Sequence, residues 1–316
     1  MEPPQDEAPG AGAWGSCTGR LADMRSTDDG HLLVVSQRAG STDVDEVDAA
    51  VDVLGAEMAQ CTHPDDLDTA LDRLDGRTLV IAGGDGSLHL AVTKLHLRGA
   101  LSTTRIGLVP LGTGNDLARA LEIPLDPAQA AELVRDGTPR PTDLLLDDAG
   151  GVVVNAAHVG IGADAAEHAG ALKPRLGPAA YPIGAVRAGL RSTGWRLKVE
   201  VDGTLVSDDH RRTLMVGIGN GRGIGGGTPL LPHALVDDGL LDVMVSKATG
   251  PFARIRFGAA LTSGDHLSDP QVRFARGRSV TVWGEPVGVN SDGETGSDVR
   301  RRTWTVAPGA WTLIRP

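Results

Sequence analysis

The sequence predicts an α/β domain with a parallel sheet, followed by a second domain that is mainly antiparallel β-structure. Short apolar runs alternate with helix-like runs from His31 to about Arg135, which is the pattern of β-α units. Two of the apolar runs end in glycine-rich turns, Gly83–Ser87 and Gly112–Asp116. After Thr138–Pro141 the pattern changes to β-like runs, and Asp202-Gly203 between two of them is a strong hairpin signal.

The first domain is predicted to alternate strands with helices. The strands are His31–Val35, Thr78–Ala82 and Ile106–Leu111. Apolar residues spaced three and four apart indicate helices over Val44–Met58 and, after Pro64, at Leu67, Leu71 and Leu74; further helices are predicted at Leu88–Leu97, Asn115–Leu121 and from Asp126-Pro127 to about Arg135. Because both glycine turns follow strands of one parallel sheet, we expect them at its carboxyl edge, where ligands bind in such sheets.

The second domain is predicted from its β-like runs. These are Gly151–Asn155, Trp195–Val201, Thr213–Gly219, Leu240–Ser246, Ser279–Trp283, Trp304–Ala307 and Trp311–Arg315, interrupted by helices at Tyr181–Arg191 and Pro251–Leu261. The predicted division is a disordered tail over 1–29, an α/β domain over 30–140 and a β-rich domain over 141–316. The C-terminal end is allowed to pack back on the first domain.

Composition excludes several classes of function. The net charge of −11 and an aromatic content of 3% argue against nucleic acid as the main partner, since few side chains are available for base stacking and the overall charge is acidic. Local basic patches are not excluded. No apolar run approaches the roughly 20 residues of a membrane-spanning helix. Two cysteines, Cys17 and Cys61, are too few for a disulfide scaffold or a structural zinc site. We therefore expect a cytoplasmic protein without a transmembrane segment.

The two glycine turns indicate a phosphate site. Each turn brings backbone N–H groups and a helix N-terminus together, an arrangement that suits an anion. Asp85 lies between two glycines and can approach a ligand, although a lone Gly-Asp-Gly is more often a turn held by a local backbone bond. Two such turns, each with an acidic residue, point to a nucleotide cleft with phosphoryl-transfer chemistry.

Five ordered motifs carry a resemblance to a known family. They are Gly83–Ser87 with Pro110–Arg119; Asn155–Gly162; Gly219-Asn220-Gly221 with Gly225-Gly226-Gly227; Pro232–Asp242; and Asp292-Gly293-Glu294 with Pro308-Gly309-Ala310. The chain resembles the diacylglycerol kinase catalytic family, bacterial lipid kinases that are related to sphingosine kinases and, more distantly, to NAD kinases. The resemblance covers roughly residues 31–316 and implies a fold like that of NAD kinase and diacylglycerol kinase.

The resemblance implies a set of nucleotide-contacting residues. They are Thr62, Gly83, Gly84, Asp85, Gly86, Ser87, Gly112, Thr113, Gly114 and Asn115. Asn115 is also a candidate N-cap, and Asp116 is as suited to a structural role at the helix N-terminus as to a functional one. The family's first phosphate loop usually reads Asn-Pro-x-Ser-Gly, whereas this chain has Ser36–Ser41, in which Arg38 and Gly40 are the expected phosphate contacts.

The resemblance also assigns the catalytic groups. Asp292 is implied to be the base that takes the proton from the acceptor hydroxyl, with Glu294 helping to bind magnesium and Asp85 beside the phosphates. The alternative for Asp292 and Glu294 is a solvated acidic turn. Asp238 is implied to bind a structural magnesium together with the backbone carbonyls of Leu235 and Leu240, the alternative being an ordinary Asp-Gly turn.

The expected function is therefore an ATP- and Mg²⁺-dependent lipid kinase that acts at the membrane surface on diacylglycerol or a related lipid. Two alternatives stay open, a kinase of a soluble acceptor such as NAD and a non-catalytic nucleotide or lipid-binding regulator. Helix Pro251–Leu261 is expected to be a core-packing helix with a basic outer face, the alternative being a membrane-touching helix. The oligomeric state is left open, a homodimer included.

The glycines from Gly221 to Gly226 match the spacing of a dinucleotide-binding motif. Thr228-Pro229 and Pro232 follow them in place of a helix, so the context that binds a phosphate is missing. We expect this loop to lie close to the substrate cleft.

Overall fold

The computed structural model describes residues 30–36, 44–161 and 193–316, and these residues hold fourteen strands in one mixed sheet. The predictions for the tail 1–29, for Arg38 and Gly40, and for the helix Tyr181–Arg191 lie outside the described residues. The predicted fold class, a parallel α/β part followed by a mainly antiparallel β-rich part, is confirmed.

The N-terminal part is a parallel four-stranded region with helices. Its strands, in the spatial order β4-β3-β1-β2, are β1 (His31–Ser36), β2 (Glu57–Cys61), β3 (Thr78–Gly83) and β4 (Arg105–Pro110). Its helices are α1 (Val44–Leu54), α2 (Pro64–Asp72), α3 (Asp85–Leu97), α4 (Asp116–Ala120) and α5 (Pro127–Asp136). Because all four strands run the same way, the turns after β3 and β4 lie at one edge of the sheet.

The C-terminal part is antiparallel. Its elements are β5 (Thr138–Asp147), β6 (Val152–Val153), β7 (Ala156–Gly160), β8 (Leu197–Val201), β9 (Thr204–Ser207), β10 (Met215–Gly219), β11 (Leu241–Ser246), α6 (Pro251–Ser263), β12 (Val272–Gly277), β13 (Ser279–Ser291) and β14 (Glu294–Arg315). The path β12-β11-β10-β7-β13-β14 ends on β4. Val201 pairs with Thr204 across Asp202-Gly203, so the predicted two-residue hairpin is confirmed.

Strand β14 joins the two parts into one sheet. It pairs with β13 and β5 in antiparallel fashion and, through Thr312 and Leu313, with β4 in parallel. Trp304 and Trp311 on this strand are fully buried, and the Trp311 indole donates to the Asp143 carbonyl at 2.9 Å. The two aromatic side chains therefore fix the long strand where it crosses from one part to the other.

One predicted helix is too long. Helix α1 ends at Leu54, Gly55 takes a left-handed φ of 55°, and Met58 lies in strand β2 opposite Leu33. The apolar spacing continued past the helix end, but the glycine lets the chain turn out of the helix at that point. Strand β2 then pairs in parallel with β1. This pairing is a long-range contact that local periodicity does not reveal.

Candidate active site

The two predicted glycine turns meet at the carboxyl edge of the sheet. Gly83 pairs with Pro110 at the ends of β3 and β4, and the turns then pack backbone against backbone. A Cβ added at Gly112 would lie 2.5 Å from the Gly84 Cα, a distance that side-chain carbons do not reach. Glycine at Gly112 is thus required by this close approach, and the predicted convergence of the turns is confirmed.

Asp85 connects the first turn to the second. Its carboxylate accepts the backbone N–H groups of Asp116 at 3.0 Å and Leu117 at 3.2 Å, which cap the N-terminus of α4. Burial raises the pKa of Asp85, and the nearby charges of Asp116 and Asp292 raise it further, while the two N–H donors oppose the shift. Asp85 therefore caps a helix that is distant in sequence, and it lies close to two other carboxylates.

Asn115 closes the second turn. Its side chain accepts the Gly112 N–H at 3.1 Å and donates to the Gly112 carbonyl at 2.7 Å. The residue occupies the N-cap position with a left-handed φ of 51°, but its side chain makes no cap bond to α4. The predicted N-cap position is confirmed, whereas Asp85 supplies the cap bonds.

Asp116 ties this region to the C-terminal part. Its buried carboxylate accepts Gly226 N–H at 2.9 Å and Gly227 N–H at 2.6 Å. These donors belong to the glycine-rich loop that follows β10. The loop therefore lies against the second glycine turn, and Asp116 of helix α4 holds it there. Its expected position close to a substrate cleft stays a prediction.

Asp292 lies at the tip of the β13–β14 hairpin and points inward. Its side chain is 3% exposed, and it accepts the backbone N–H groups of Val154, Asn155 (3.1 Å) and Ala156 (2.9 Å). The alternative of a solvated acidic turn is therefore wrong for Asp292. Glu294, one residue beyond the two-residue turn, is 79% exposed and faces solvent.

His89 on α3 provides the fourth bond to Asp292. Its Nδ1 lies 3.0 Å from Asp292 Oδ2, and its Nε2 lies 3.8 Å from Glu294 Oε1. Burial lowers the pKa of His89, but the hydrogen bond and charge of Asp292 and the charge of Glu294 outweigh this effect and raise it. The Asp292 carboxylate thus accepts four bonds, which fill its lone-pair sites.

His89 was not among the predicted site residues, although the sequence carries a signal for it. His89 follows Asp85 by four residues on one helix, so the two side chains share a face. Helix α3 therefore presents Asp85 to the second glycine turn and His89 to the hairpin tip. The helix brings the phosphate turns and the implied base into one site.

Asn155 and Asn220 hold the loops around Asp292. The Asn155 side-chain amide donates to the Gly223 carbonyl at 2.7 Å, and the Asn155 carbonyl accepts Gly221 N–H at 2.7 Å. The Asn220 amide donates to the carbonyls of Asp143 and Val154, each at 2.9 Å. These two motif asparagines are buried linkers between strands.

Thr62 and Thr113 are two further predicted nucleotide contacts. Thr62 follows β2, which stands beyond β1, so it is about two strand spacings, roughly 10 Å, from the first glycine turn. Its backbone N–H donates to Asp66 at 2.9 Å. Thr113 is exposed in the second turn. Their contacts with a nucleotide stay predictions.

The residues predicted to hold a structural cation do not fit one. The Asp238 carboxylate already accepts the Leu240 N–H at 3.0 Å and pairs with the Arg276 guanidinium. Arg276 also lies 3.2 Å from buried Asp242, whose pKa is raised by burial against the opposing charge of the arginine. The guanidinium supplies positive charge at the place predicted for magnesium with Leu235 and Leu240.

Asp85 is the carboxylate near the glycine turns that fits a cation, because each of its oxygens accepts one backbone N–H and keeps a second acceptor position. Among the described residues, no three His, Cys, Asp or Glu side chains converge on a metal position. Magnesium is usually held by one or two carboxylates and by substrate phosphates. The raised pKa of Asp85 beside two other acids is consistent with a site that gains from added positive charge.

Sequence comparisons identify the family. Residues 32–146 match the diacylglycerol kinase catalytic domain, and residues 155–315 match the YegS C-terminal NAD kinase beta sandwich-like domain. The probable lipid kinase YegS-like of Pseudomonas aeruginosa (strain UCBPP-PA14) is 34% identical over 298 residues, which cover 90% of this chain and 93% of that relative. The chain belongs to the YegS-like lipid kinase family. The resemblance inferred from the motifs is thereby confirmed.

Further comparisons agree with this family. The probable lipid kinase YegS-like of Xanthomonas oryzae pv. oryzae (strain MAFF 311018) is 35% identical over 232 residues, covering 69% of this chain and 72% of that relative. A solved diacylglycerol kinase structure from Bacillus anthracis str. Sterne covers 91% of this chain with a TM-score of 0.66 at 18% identity. A second structure from that organism gives 0.74 at 21%. These structures share the fold.

Proposed function

We propose that the protein is an ATP- and magnesium-dependent kinase that transfers the γ-phosphoryl group to a hydroxyl of diacylglycerol or a related lipid. The family supports kinase chemistry on a lipid. The observation that carries the finer proposal is the position of α3. One face of this helix links the paired glycine turns, through Asp85, to the buried carboxylate of Asp292, through His89.

The glycine turns would receive the nucleotide phosphates. The turns and the N-terminus of α3 lie at the same edge of the sheet, and a phosphate is stabilised by the backbone N–H groups of such turns. Asp85 would help to hold magnesium, which would offset the phosphate charge. Thr113, which is exposed in the second turn, would contact the nucleotide.

Asp292 and His89 would handle the acceptor proton together. Because four donors fill the Asp292 carboxylate, one of them must give way before it accepts a proton from the lipid hydroxyl. Three are backbone groups fixed in strands or turns. His89 is the side-chain donor and the one that can rotate away, so its position controls access to the base.

The proposal is tested with γ-labelled ATP, magnesium and vesicles that contain diacylglycerol, with NAD offered in parallel. Label in the lipid phase supports the proposal. Label in NAD would replace it with a kinase of a soluble acceptor. Calorimetry that detects ATP binding without transfer to either acceptor would favour a non-catalytic regulator.

Among the described residues, no helix is long and apolar enough to cross a membrane. The proposed substrate is a membrane lipid, whose hydroxyl lies at the surface of the bilayer. We therefore propose a peripheral protein, and its vesicle binding is the measurement that tests this.

A further inference from the structure

The glycine-rich loop between β10 and β11 has a tip that carries no side chains. We call residues 223–228 the glycine flap; Ile224 and Thr228 close it with two backbone hydrogen bonds, at 2.9 and 3.0 Å. Between them, residues 225–227 are exposed glycines with positive φ values of 65°, 91° and 108°. Only glycine adopts such a succession of conformations without strain. A Cβ added at any of the three would meet nothing nearer than 3.8 Å, so the tip is loosely packed.

The base of the flap is fixed, in contrast to its tip. The Asn155 side-chain amide donates to the Gly223 carbonyl at 2.7 Å, and the Leu231 N–H donates to the Arg222 carbonyl at 2.9 Å. Asn155 and Leu231 are both buried. Movement of the flap is therefore confined to its tip and does not require the loop to leave the sheet.

One carboxylate holds the tip against the N-terminal part. Asp116 Oδ1 accepts the N–H groups of Gly226 at 2.9 Å and Gly227 at 2.6 Å, and Asp116 Oδ2 lies 3.0 Å from the same Gly226 nitrogen. Within the described part of the chain, no other side chain forms a hydrogen bond to residues 225–227. Because hydrogen bonds to an ionised group are strong, Asp116 determines whether the tip stays in place.

The tip lies over the second glycine turn, beside Asp85. A Cβ added at Gly114 would lie 3.7 Å from the Gly226 nitrogen and 3.1 Å from Asp85 Oδ2. The tip, the turn and the Asp85 carboxylate thus surround one point. Since the turn would receive phosphate and Asp85 would help to hold magnesium, the flap borders the place proposed for the nucleotide phosphates.

We propose that the glycine flap is a gate to the phosphate site and that Asp116 keeps it closed. The inference rests on the proposed nucleotide-binding function, because it assigns to the flap the control of nucleotide entry. When the bonds to Asp116 break, the tip swings away from Gly114, and the successive glycines supply the backbone freedom for this movement. Asp116 acts through the flap and is a positioning residue.

Hydrogen exchange of the flap amides tests the role of Asp116. Asp116→Ala removes both acceptor oxygens and should speed exchange in residues 223–228 about tenfold or more. Asp116→Asn keeps one oxygen acceptor but loses the charge, so its exchange should be intermediate. Asp126→Ala is the matched control, since it removes an N-cap carboxylate from α5 and should leave flap exchange unchanged. Exchange in β10 should be the same in all four proteins.

The association rate of a fluorescent ATP analogue tests the gate. Stopped-flow mixing with magnesium and N-methylanthraniloyl-ATP should give Asp116→Ala an association rate constant raised by about the same factor as its flap exchange. The reason is that binding is limited by the fraction of molecules with an open flap. A residue that only stabilised the fold would not raise this rate constant.

Each outcome decides the proposal. Unchanged flap exchange in Asp116→Ala overturns it, as does faster exchange that extends through β10, which would make Asp116 a general stabiliser of the fold. Faster flap exchange with an unchanged association rate, or with loss of analogue binding in the variant alone, overturns the gate. Absence of analogue binding in wild type and variant alike is instead a failure of the proposed function, and it removes the gate together with the nucleotide site.

Discussion

At the scale of single residues, Asp292 is the group on which turnover should depend. Replacing it by asparagine keeps the size of the side chain but removes the carboxylate that would accept the hydroxyl proton. Because the amide nitrogen cannot accept the N–H bonds that one carboxylate oxygen holds, the melting temperature of the variant is compared with that of wild type. Asp292→Asn should lower kcat by about 10²–10⁴, the usual effect of losing a general base, while ATP still binds. Calorimetry with ATP and the labelled-lipid assay measure the two quantities; near-normal turnover would remove Asp292 from the mechanism.

His89 offers a separate test, because the prediction concerns hydrogen-bond donation to Asp292. His89→Asn retains a side-chain donor and should keep most of the turnover. His89→Leu removes the donor that has to leave Asp292 before the carboxylate takes the proton, so it should turn over faster than His89→Asn, with little change in the KM for ATP. Equal activity of the two variants, at matched thermal stability, would show that His89 only fills space.

The sequence predicted Asp85 and Asp292 as site residues but not their surroundings. These two residues could be predicted because each stands in a motif that carries the family resemblance. The bonds from Asp85 to α4 and from Asp292 to Val154, Asn155 and Ala156 join residues more than thirty positions apart. Such bonds depend on how strands pair, which local patterns do not determine.

At the scale of elements, the contact between the glycine turns should tolerate no side chain. Gly112→Ala places a carbon 2.5 Å from the Gly84 backbone, so the turns must separate. We expect a loss of roughly 1–3 kcal/mol in stability and a raised KM for ATP. Gly258→Ala, in α6 with open space around the added carbon, is the control. A Gly112→Ala protein with wild-type stability and KM would contradict the packing argument.

The loop before β11 provides a second element-scale prediction. If Arg276 supplies the positive charge beside Asp238 and Asp242, chelation of divalent cations should leave the wild-type melting temperature unchanged. Arg276→Gln exposes two unpaired acids to each other. The variant should lose roughly 1–3 kcal/mol in free energy of unfolding, which is less than for a fully buried ion pair because the arginine is partly exposed. Added magnesium should recover part of this loss. A wild-type Tm that falls when chelator is added would support the predicted metal site instead.

At the scale of the whole molecule, the sheet is more continuous than a boundary near residue 141 implies. The sequence predicted both parts correctly as parallel and antiparallel, since strand–helix alternation and the Asp202-Gly203 hairpin are local signals. It divided β14 into two runs, Trp304–Ala307 and Trp311–Arg315, where the structure has one strand, Glu294–Arg315. The register shift between Ala307 and Trp311 explains why the periodicity breaks there.

The continuous sheet also buries an ionisable group in its middle. His158 on β7 lies between Gly217 of β10 and Asn290 of β13, and burial lowers its pKa to about 4 despite the nearby charge of Asp292. The unfolded chain takes up this proton near pH 6.5, whereas the folded protein does not until about pH 4. Above pH 6.5 both states are neutral, so the residue has no effect on stability there.

As the pH falls from about 6.5 to about 4, the unfolded state is favoured by about 1.4 kcal/mol for each pH unit. Between pH 7 and pH 5 the wild type should therefore lose about 2 kcal/mol through His158. His89, whose pKa is raised, acts in the opposite sense and adds stability at low pH. Denaturant unfolding at both pH values should give His158→Leu a smaller loss than wild type, with exposed His210→Gln as the control. An unchanged pH dependence in His158→Leu would mean that His158 is protonated in the folded sheet.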